Sequence, residues 1–489
     1  MDPRDEAALL PVRLSKTVAP ASAPLHQIPP DSERPAIAVL PAFAGYLGGA
    51  EGKSRSAETQ AEGARSGLAP GLPGVLLLFP LQKEPPFPVN ASHATYFSRM
   101  RNAISRLFHA AGCQKDETVT LPDHHRGKER VAPGLCSVGG AAIRIIQAPE
   151  DLDELEPACD ALAANSGTPM QDLAWIRSCA STFTGEGQLH VVVLGEPPEI
   201  IAIAPLVRRQ GKPDRLELLG VNELYESTDF LFVDPSALVR LVEGLAQLGI
   251  PVALKRVPAN SPLTAVFRRA FRWRGVVPCR PAPGCPWIPL DAGWRQPEDQ
   301  LSHSRRASLR RARRIAERIG QVASEVLSPT PDELGPLLEE AFRVEAAGWK
   351  GRCGQALAHD ALKGTFFRRY TAEACRKKML RLCFLRIGGQ AAAMQLAVEY
   401  GERWWLLKIG YDEAFAQCSP GALLLLETVR YAAVRGLRSY EFLGTAEPWI
   451  EAWTKRVRPC LSLAAYPANR KGFAALGTDV MAMMRKRLW

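Results

Sequence analysis

The chain has 489 residues, long enough for roughly two to four domains of ordinary size. With 46% hydrophobic and 23% charged residues it has a globular composition, which excludes a wholly disordered or fibrous protein. The formal charge of +10 allows an anionic partner (a CoA ester, an acyl carrier, RNA or an acidic membrane surface) without choosing among them.

Residues 1–138 are rich in Pro, Ala, Ser and Gly. A stretch such as VAPASAPLHQIPPDSERPA cannot bury enough apolar surface to offset the entropy of ordering, so a largely disordered extension is expected. Within it, Tyr96, Met100, Ile104, Leu107 and Phe108 fall near helical spacing and predict a short docking helix. MDPRDEAALL lacks a basic start followed by an apolar run, and GVLLLFPL is too short to span a bilayer and contains Pro80. A soluble, cytoplasmic protein is therefore expected.

From Ala141 the pattern changes. AAIRIIQAP predicts a strand, DLDELEPACDALAAN and MQDLAWIRSCASTF two helices, and LHVVVLGEPPEIIAIAPLVRRQGKPDRLELLG three β segments joined by turn residues. DPSALVRLVEGLAQLG then predicts a helix and IPVALKRV a strand. The second half repeats the order: LRLCFLRIGGQAAAMQLAVEYGERWWLLKIG as β segments, SPGALLLLETVRYAAVRG as helix, LRSYEFLG as strand. Each copy has a strand ending in glycine (Gly220, Gly410), a loop, a proline at the helix start (Pro235, Pro420) and a glycine stop (Gly249, Gly436). An internal duplication is expected, with domains at 139–298 and 299–489 and an α+β fold with mixed sheets.

The copies differ where chemistry would sit. Leu218 stands two residues before Gly220, but Lys408 two before Gly410, followed by Tyr411, Asp412 and Glu413. Strand alternation places Lys408 on the face of Trp404 and Leu406, where an ammonium needs a partner such as Asp412 or Glu413. The alternative is a lysine snorkelling from an edge. Ser419 and Pro420 suit the N-cap and first turn of a helix, whose free N–H groups and dipole could seat a phosphate or carboxylate. EAAGWKGRCGQAL gathers Trp349, Lys350 and three glycines, either a ligand loop or a helix end anchored by its tryptophan. In SHSRRASLRRARRIAERIG, an apolar stripe leaves Arg305, Arg306, Arg310, Arg313 and Arg314 on the wetter sides, for solvent or for an anion.

Eleven cysteines, an odd number with no CxxC pair, read as reduced thiols. The eight histidines are dispersed and His124–His125 has no third ligand nearby, so no metal is expected.

GWKGRCGQA, LKIGYDEAFAQCSPGALLL and the SRRASLRRARR helix resemble the cellulose-biosynthesis (CelD/BcsL) acetyltransferases of the GNAT superfamily, over about Ala141 to Pro467. The resemblance implies a tandem GNAT-like fold related to the FemABX transferases. It implies acyl transfer from acyl-CoA, a co-substrate rather than a bound cofactor, to an amine or hydroxyl, with exopolysaccharide or envelope synthesis as the expected setting. In that family the loop after the fourth strand wraps the CoA pyrophosphate through a Q/R-x-x-G-x-G/A pattern. Here Gln417 and Ala422 fit the first and last positions and Ser419 to Ala422, Gly421 included, would be the phosphate loop, with Pro420 standing at the central glycine and removing one N–H donor. Trp449 and Ile450 stand where relatives show Tyr-Lys. The expected chemical roles are Lys350 and Lys408 for developing negative charge, Tyr411 as acid, and Asp412 or Glu441 as base. Trp349, Arg306 and Arg310 are the expected substrate contacts. Two alternatives stay open: a FemABX-like transferase using aminoacyl-tRNA, and a non-catalytic binding protein of the same fold.

Overall fold

The computed structural model describes residues 136–138, 141–163, 167–185, 187–211 and 213–488. The expected docking helix, His124–His125 and the extension, apart from Cys136–Val138, lie outside the described residues.

A first set of elements runs β1 (Cys136–Val138), β2 (Ala141–Ile146), α1 (Glu156–Ala163), α2 (Leu173–Phe183), β3 (Val191–Leu194), β4 (Ala202–Ala204), β5 (Leu206–Arg209), β6 (Arg215–Leu218), β7 (Leu231–Phe232), α3 (Pro235–Gln247), β8 (Val252–Pro258), α4 (Leu263–Ala270), β9 (Gly275–Val276) and β10 (Cys279–Pro289). The second set runs α5 (His303–Ile319), β11 (Val322–Leu327), α6 (Pro331–Ala346), α7 (Ala361–Arg376), β12 (Leu380–Ile387), β13 (Gln390–Tyr400), β14 (Arg403–Tyr411), α8 (Pro420–Val434), β15 (Ser439–Glu441), β16 (Val457–Pro467) and α9 (Arg470–Leu488). This is the expected α+β fold with mixed sheets. Among the described residues no helix is long and apolar enough to cross a membrane.

In the second set, β11 to β14 form an antiparallel meander. Its two tight turns are Gly388-Gly389 and Gly401-Glu402, all four residues with positive φ, as two-residue hairpins of right-handed twist require. Helix α8 then crosses over and β15 returns parallel to β14. One face of the meander packs Trp404, Leu406 and Cys383 against α5 and α8, whose Leu423 to Leu426 are all buried. The opposite face packs Leu382, Phe384 and Trp405 under α6 and α7.

The first set follows the same order. Strands β2, β3 and β4 are antiparallel, β5 pairs with β6, and β8 returns parallel to β6 after α3. Where three β segments were expected there are four, because Pro205 separates β4 from β5, which lie in different sheets. Helices α3 and α8 stop alike, at Gly249 (φ 63°) and Gly436 (φ 74°), a left-handed position that glycine occupies without strain.

The two sets share one sheet, ordered β11-β12-β13-β14-β15-β10-β16-β8-β6-β5. Strand β10 of the first set lies against β15 of the second, and β16 of the second against β8 of the first. Strands β10 and β16 pair with each other between them. Aromatic packing adds to the join: Trp175 of α2 meets Phe366 and Tyr370 of α7 edge-on at 5.0 and 4.9 Å.

Candidate active site

Strands β14 and β15 are hydrogen-bonded only from Arg403/Ser439 to Trp405/Glu441. Beyond that they part, and a cavity of about 580 Å³ opens between Leu406–Tyr411 on one side and Phe442–Gly444 on the other. Its other walls include Glu345 of α6, Gly348 to Lys350 just beyond it, Gly421 and Ala422 of α8, Arg305, Trp449 and Trp453, and Leu224 and Glu226 from the first set.

Within β14 a bulge shapes the wall. The register against β13 steps from Ala397↔Leu406 to Leu396↔Lys408, so Leu407 is an extra residue and side-chain parity shifts by one. Lys408 therefore leaves the face of Trp404 and Leu406, where simple alternation placed it. Its Nζ stands 5.0 Å from the centre of the Phe367 ring, on the α7 side. Its expected partners are engaged elsewhere: Asp412 caps Ala414 N at 2.9 Å and Glu413 pairs with Arg352. Burial, then repulsion from Lys350, pulls the Lys408 pKa down, against attraction by Glu226 and Glu345.

Lys350 is held differently. Its Nζ donates to Ile409 O at 2.8 Å and to Glu345 Oε1 at 3.1 Å, while Glu345 Oε2 accepts from Leu357 N at 2.9 Å. Glu345 is only 2% exposed, so this network satisfies a carboxylate that burial would otherwise penalise. Gly410 makes it possible: a Cβ there would lie 2.6 Å from Glu345 Cα, so only glycine lets β14 pass this close to the end of α6.

Tyr411 and the half-exposed Trp349 line the cavity; Asp412 does not. Glu441 is 1% exposed and lies outside the lining, receiving Arg458 at 2.7 and 2.9 Å and Ser439 Oγ at 2.6 Å. The arginine of α5 that lines the cavity is Arg305, 5.9 Å from the Trp453 ring; Arg306 and Arg310 lie outside it. Gln417 is exposed on the turn before α8.

The two equivalent helix starts differ. At α3 the Asp234 carboxylate accepts from Ser236 N and Ala237 N, both at 2.8 Å, so the helix carries its own anion. At α8 Ser419 adopts a left-handed conformation (φ 46°) and its side chain makes no cap bond, contrary to the expected N-cap role. Its carbonyl accepts from Ala422 N and Leu423 N, and Gly421 and Ala422 face the cavity.

Sequence reasoning missed Glu226, which the first set sends into the cavity. Burial pushes its pKa up to about 7, against the lowering pull of the Gly444 N–H, Lys408 and Arg256. No local pattern in VNELYESTDF marks it, since its partners lie far along the chain.

Residues 303–450 match the acetyltransferase (GNAT) domain family. This GNAT domain contains β14, α8 and β15, and hence both sides of the cleft. None of the curated proteins matches the chain. Among solved structures, FemX aligns at 11% identity over 66% of this chain and 97% of its own, TM-score 0.44. A tandem GNAT protein from the clavulanic acid biosynthesis pathway aligns at 14% over 67% and 99%, TM-score 0.38. A GCN5-related N-acetyltransferase from Sphaerobacter thermophilus aligns at 14% over 67% and 95%, TM-score 0.29. Among the described residues no cluster of His, Cys, Asp or Glu could hold a metal ion.

Proposed function

We propose that the chain is an acyltransferase that moves an acyl group from acyl-CoA to an amine or hydroxyl acceptor. The observation behind this reading is the cleft where β14 and β15 part inside the matched GNAT domain, opening onto the helix start of α8, which no side chain caps. A pantetheine arm can lie between parted strands and use their unpaired backbone groups. The pyrophosphate would meet the N-terminus of α8 around Ser419, Gly421 and Ala422, with Gln417 beside it.

Lys408 is the group best suited to the developing oxyanion, because its charge is poorly compensated before reaction. Lys350, tied to Glu345 and Ile409 O, shapes the cavity floor and adds positive potential. Tyr411, which lines the cavity, would protonate the leaving thiolate, and Trp349 would offer a flat apolar wall. Arg306 and Arg310 would draw anionic substrate toward the site from outside the cavity. Asp412 and Glu441, committed to a cap and an ion pair, are left out of the chemistry. The likeness to the CelD/BcsL acetyltransferases suggests an acceptor in exopolysaccharide or envelope synthesis, on the cytoplasmic side where acyl-CoA is available. Calorimetric titration of the full chain with acetyl-CoA and longer acyl-CoAs should give saturable binding; a flat titration with all of them overturns the reading.

A further inference from the structure

Glu226 belongs to the first set of elements yet lines the cavity whose other chemically active groups belong to the second. It is held from both neighbours. Arg256 Nη1 donates to Tyr225 O at 2.7 Å and its guanidinium lies 4.3 Å from the Tyr225 ring centre, while Ser227 Oγ donates to Arg256 O at 2.6 Å. The same guanidinium donates to Gly444 O at 2.5 Å, and Gly444 N donates to Glu226 Oε2 at 3.2 Å. One side chain, 1% exposed and on a backbone with φ 54°, thus fixes both the segment bearing the carboxylate and the loop that hydrogen-bonds it. A non-glycine residue at such a φ is strained, and strain of this kind persists where the surroundings over-determine it.

We infer that Glu226 is the general base of the transfer, delivered by the first set of elements into the cleft of the second, with Arg256 as its positioning residue. This rests on the acyltransfer reading. In the step, Glu226 takes a proton from the acceptor nitrogen or oxygen as that atom's lone pair bonds the thioester carbon. The C–S bond then breaks, its electron pair leaves on sulfur, and the thiolate takes a proton from Tyr411; the proton on Glu226 returns to Tyr411 through solvent.

A carboxylate bonded by a single N–H keeps acceptor capacity for substrate, unlike Glu345 and Glu441, whose oxygens are both taken by donors. The groups facing Glu226 are Lys408 from β14, Arg256 from β8, the Cys285 thiol from β10 and the Gly444 N–H. Its raised pKa, about 7, places proton transfer near neutrality, where a general base is most effective.

The test pairs Glu226→Gln with Arg256→Lys in the full chain. Acetyl-CoA binding is measured by calorimetry, and acetyl transfer to a panel of primary amines and amino sugars is followed by chromatography from pH 5 to 9. Expected are unchanged acetyl-CoA binding by Glu226→Gln, a fall in transfer of about 100-fold or more, and loss of the acidic limb that wild-type kcat/KM should show near pH 7. Arg256→Lys, too short to hold both carbonyls, should shift that limb. Wild-type protein that binds no acetyl-CoA overturns the acyltransfer reading and the base with it. Wild-type binding without transfer to any acceptor overturns both as well, whereas Glu226→Gln transfer within threefold of wild type, or a retained limb, overturns the base alone.

Discussion

Replacing Lys408 by Met removes an ammonium that sits over the Phe367 ring, with Lys350 repelling it and its attractive carboxylates, Glu226 and Glu345, forming no ion pair with it. Because its pKa in the folded chain is lowered, Lys408 gains protons on unfolding. Below that folded pKa its charge therefore costs stability, and the cost fades as pH rises toward the ordinary lysine value of 10.5. The Met variant should melt higher than wild type at pH 7, by ~1 kcal/mol or more, with the gap closing toward pH 10. Its acyl transfer should fall on the order of 100-fold. Lys350→Met should do the reverse to stability, since it strands the Glu345 carboxylate inside the protein. Breaking a fully buried pair costs about 3–5 kcal/mol, and the partial exposure of Lys350 reduces that to roughly 2–3. Urea titration of both variants checks the contrast. Equal stability changes in the two would show that burial and pairing do not separate these lysines.

At the scale of elements, the start of α8 and the start of α3 make a natural pair of controls. Pro420→Gly restores an N–H to the first turn of α8, at the cost of the proline's preset φ. Calorimetry should show CoA binding tightened several-fold, with stability lowered by about 1 kcal/mol. Asp234→Ala should lower stability through loss of the helix cap and leave CoA binding alone, because that cap serves only α3. Tighter binding in the Asp234 variant instead would move the phosphate seat to the first set.

These elements were largely readable in advance: periodicity and turn glycines place β12 to β14, both long crossover helices and their glycine stops. Two things escaped. The bulge at Leu407 inserts a residue that no composition rule flags, and it decides which face Lys408 occupies. Strand β10 was hidden by Pro281, Pro283, Pro286 and Pro289, residues that argue against any central strand. It tolerates them partly through the register shift between Ala282 and Cys285. Lys350 and Lys408 could be chosen from the sequence because glycines and an apolar strand surround them. Glu226 could not, since its role depends on Arg256 and Gly444, which only the shared sheet brings together.

For the whole molecule, the shared sheet is incomplete in either set alone: the first set keeps a separate sheet of β1, β2, β3, β4 and β7, but its β10 pairs only with strands of the second and its β8 has β16 as one of its two neighbours. A nick between Arg295 and Gln296, both exposed, leaves β10 in one fragment without β15 and β16, and β16 in the other without β8 and β10. Expressed separately, the two fragments should be insoluble; expressed together, they should copurify as one complex by size-exclusion chromatography. A soluble, monomeric fragment alone would refute the interdependence.

The proline content of β10 takes on a second meaning during synthesis. The strand leaves the ribosome well before its partner β16, roughly 170 residues and on the order of ten seconds or more earlier at about 5–20 residues per second. Through that interval both of its edges are open, and an open edge is a template for pairing with another nascent chain. Each of its four prolines lacks an N–H, so the waiting strand offers stray partners a broken ladder while its carbonyls remain available for β15 and β16. The residues that disguise β10 as a loop thus leave the waiting strand a poor template for stray pairing until translation delivers the strand it awaits.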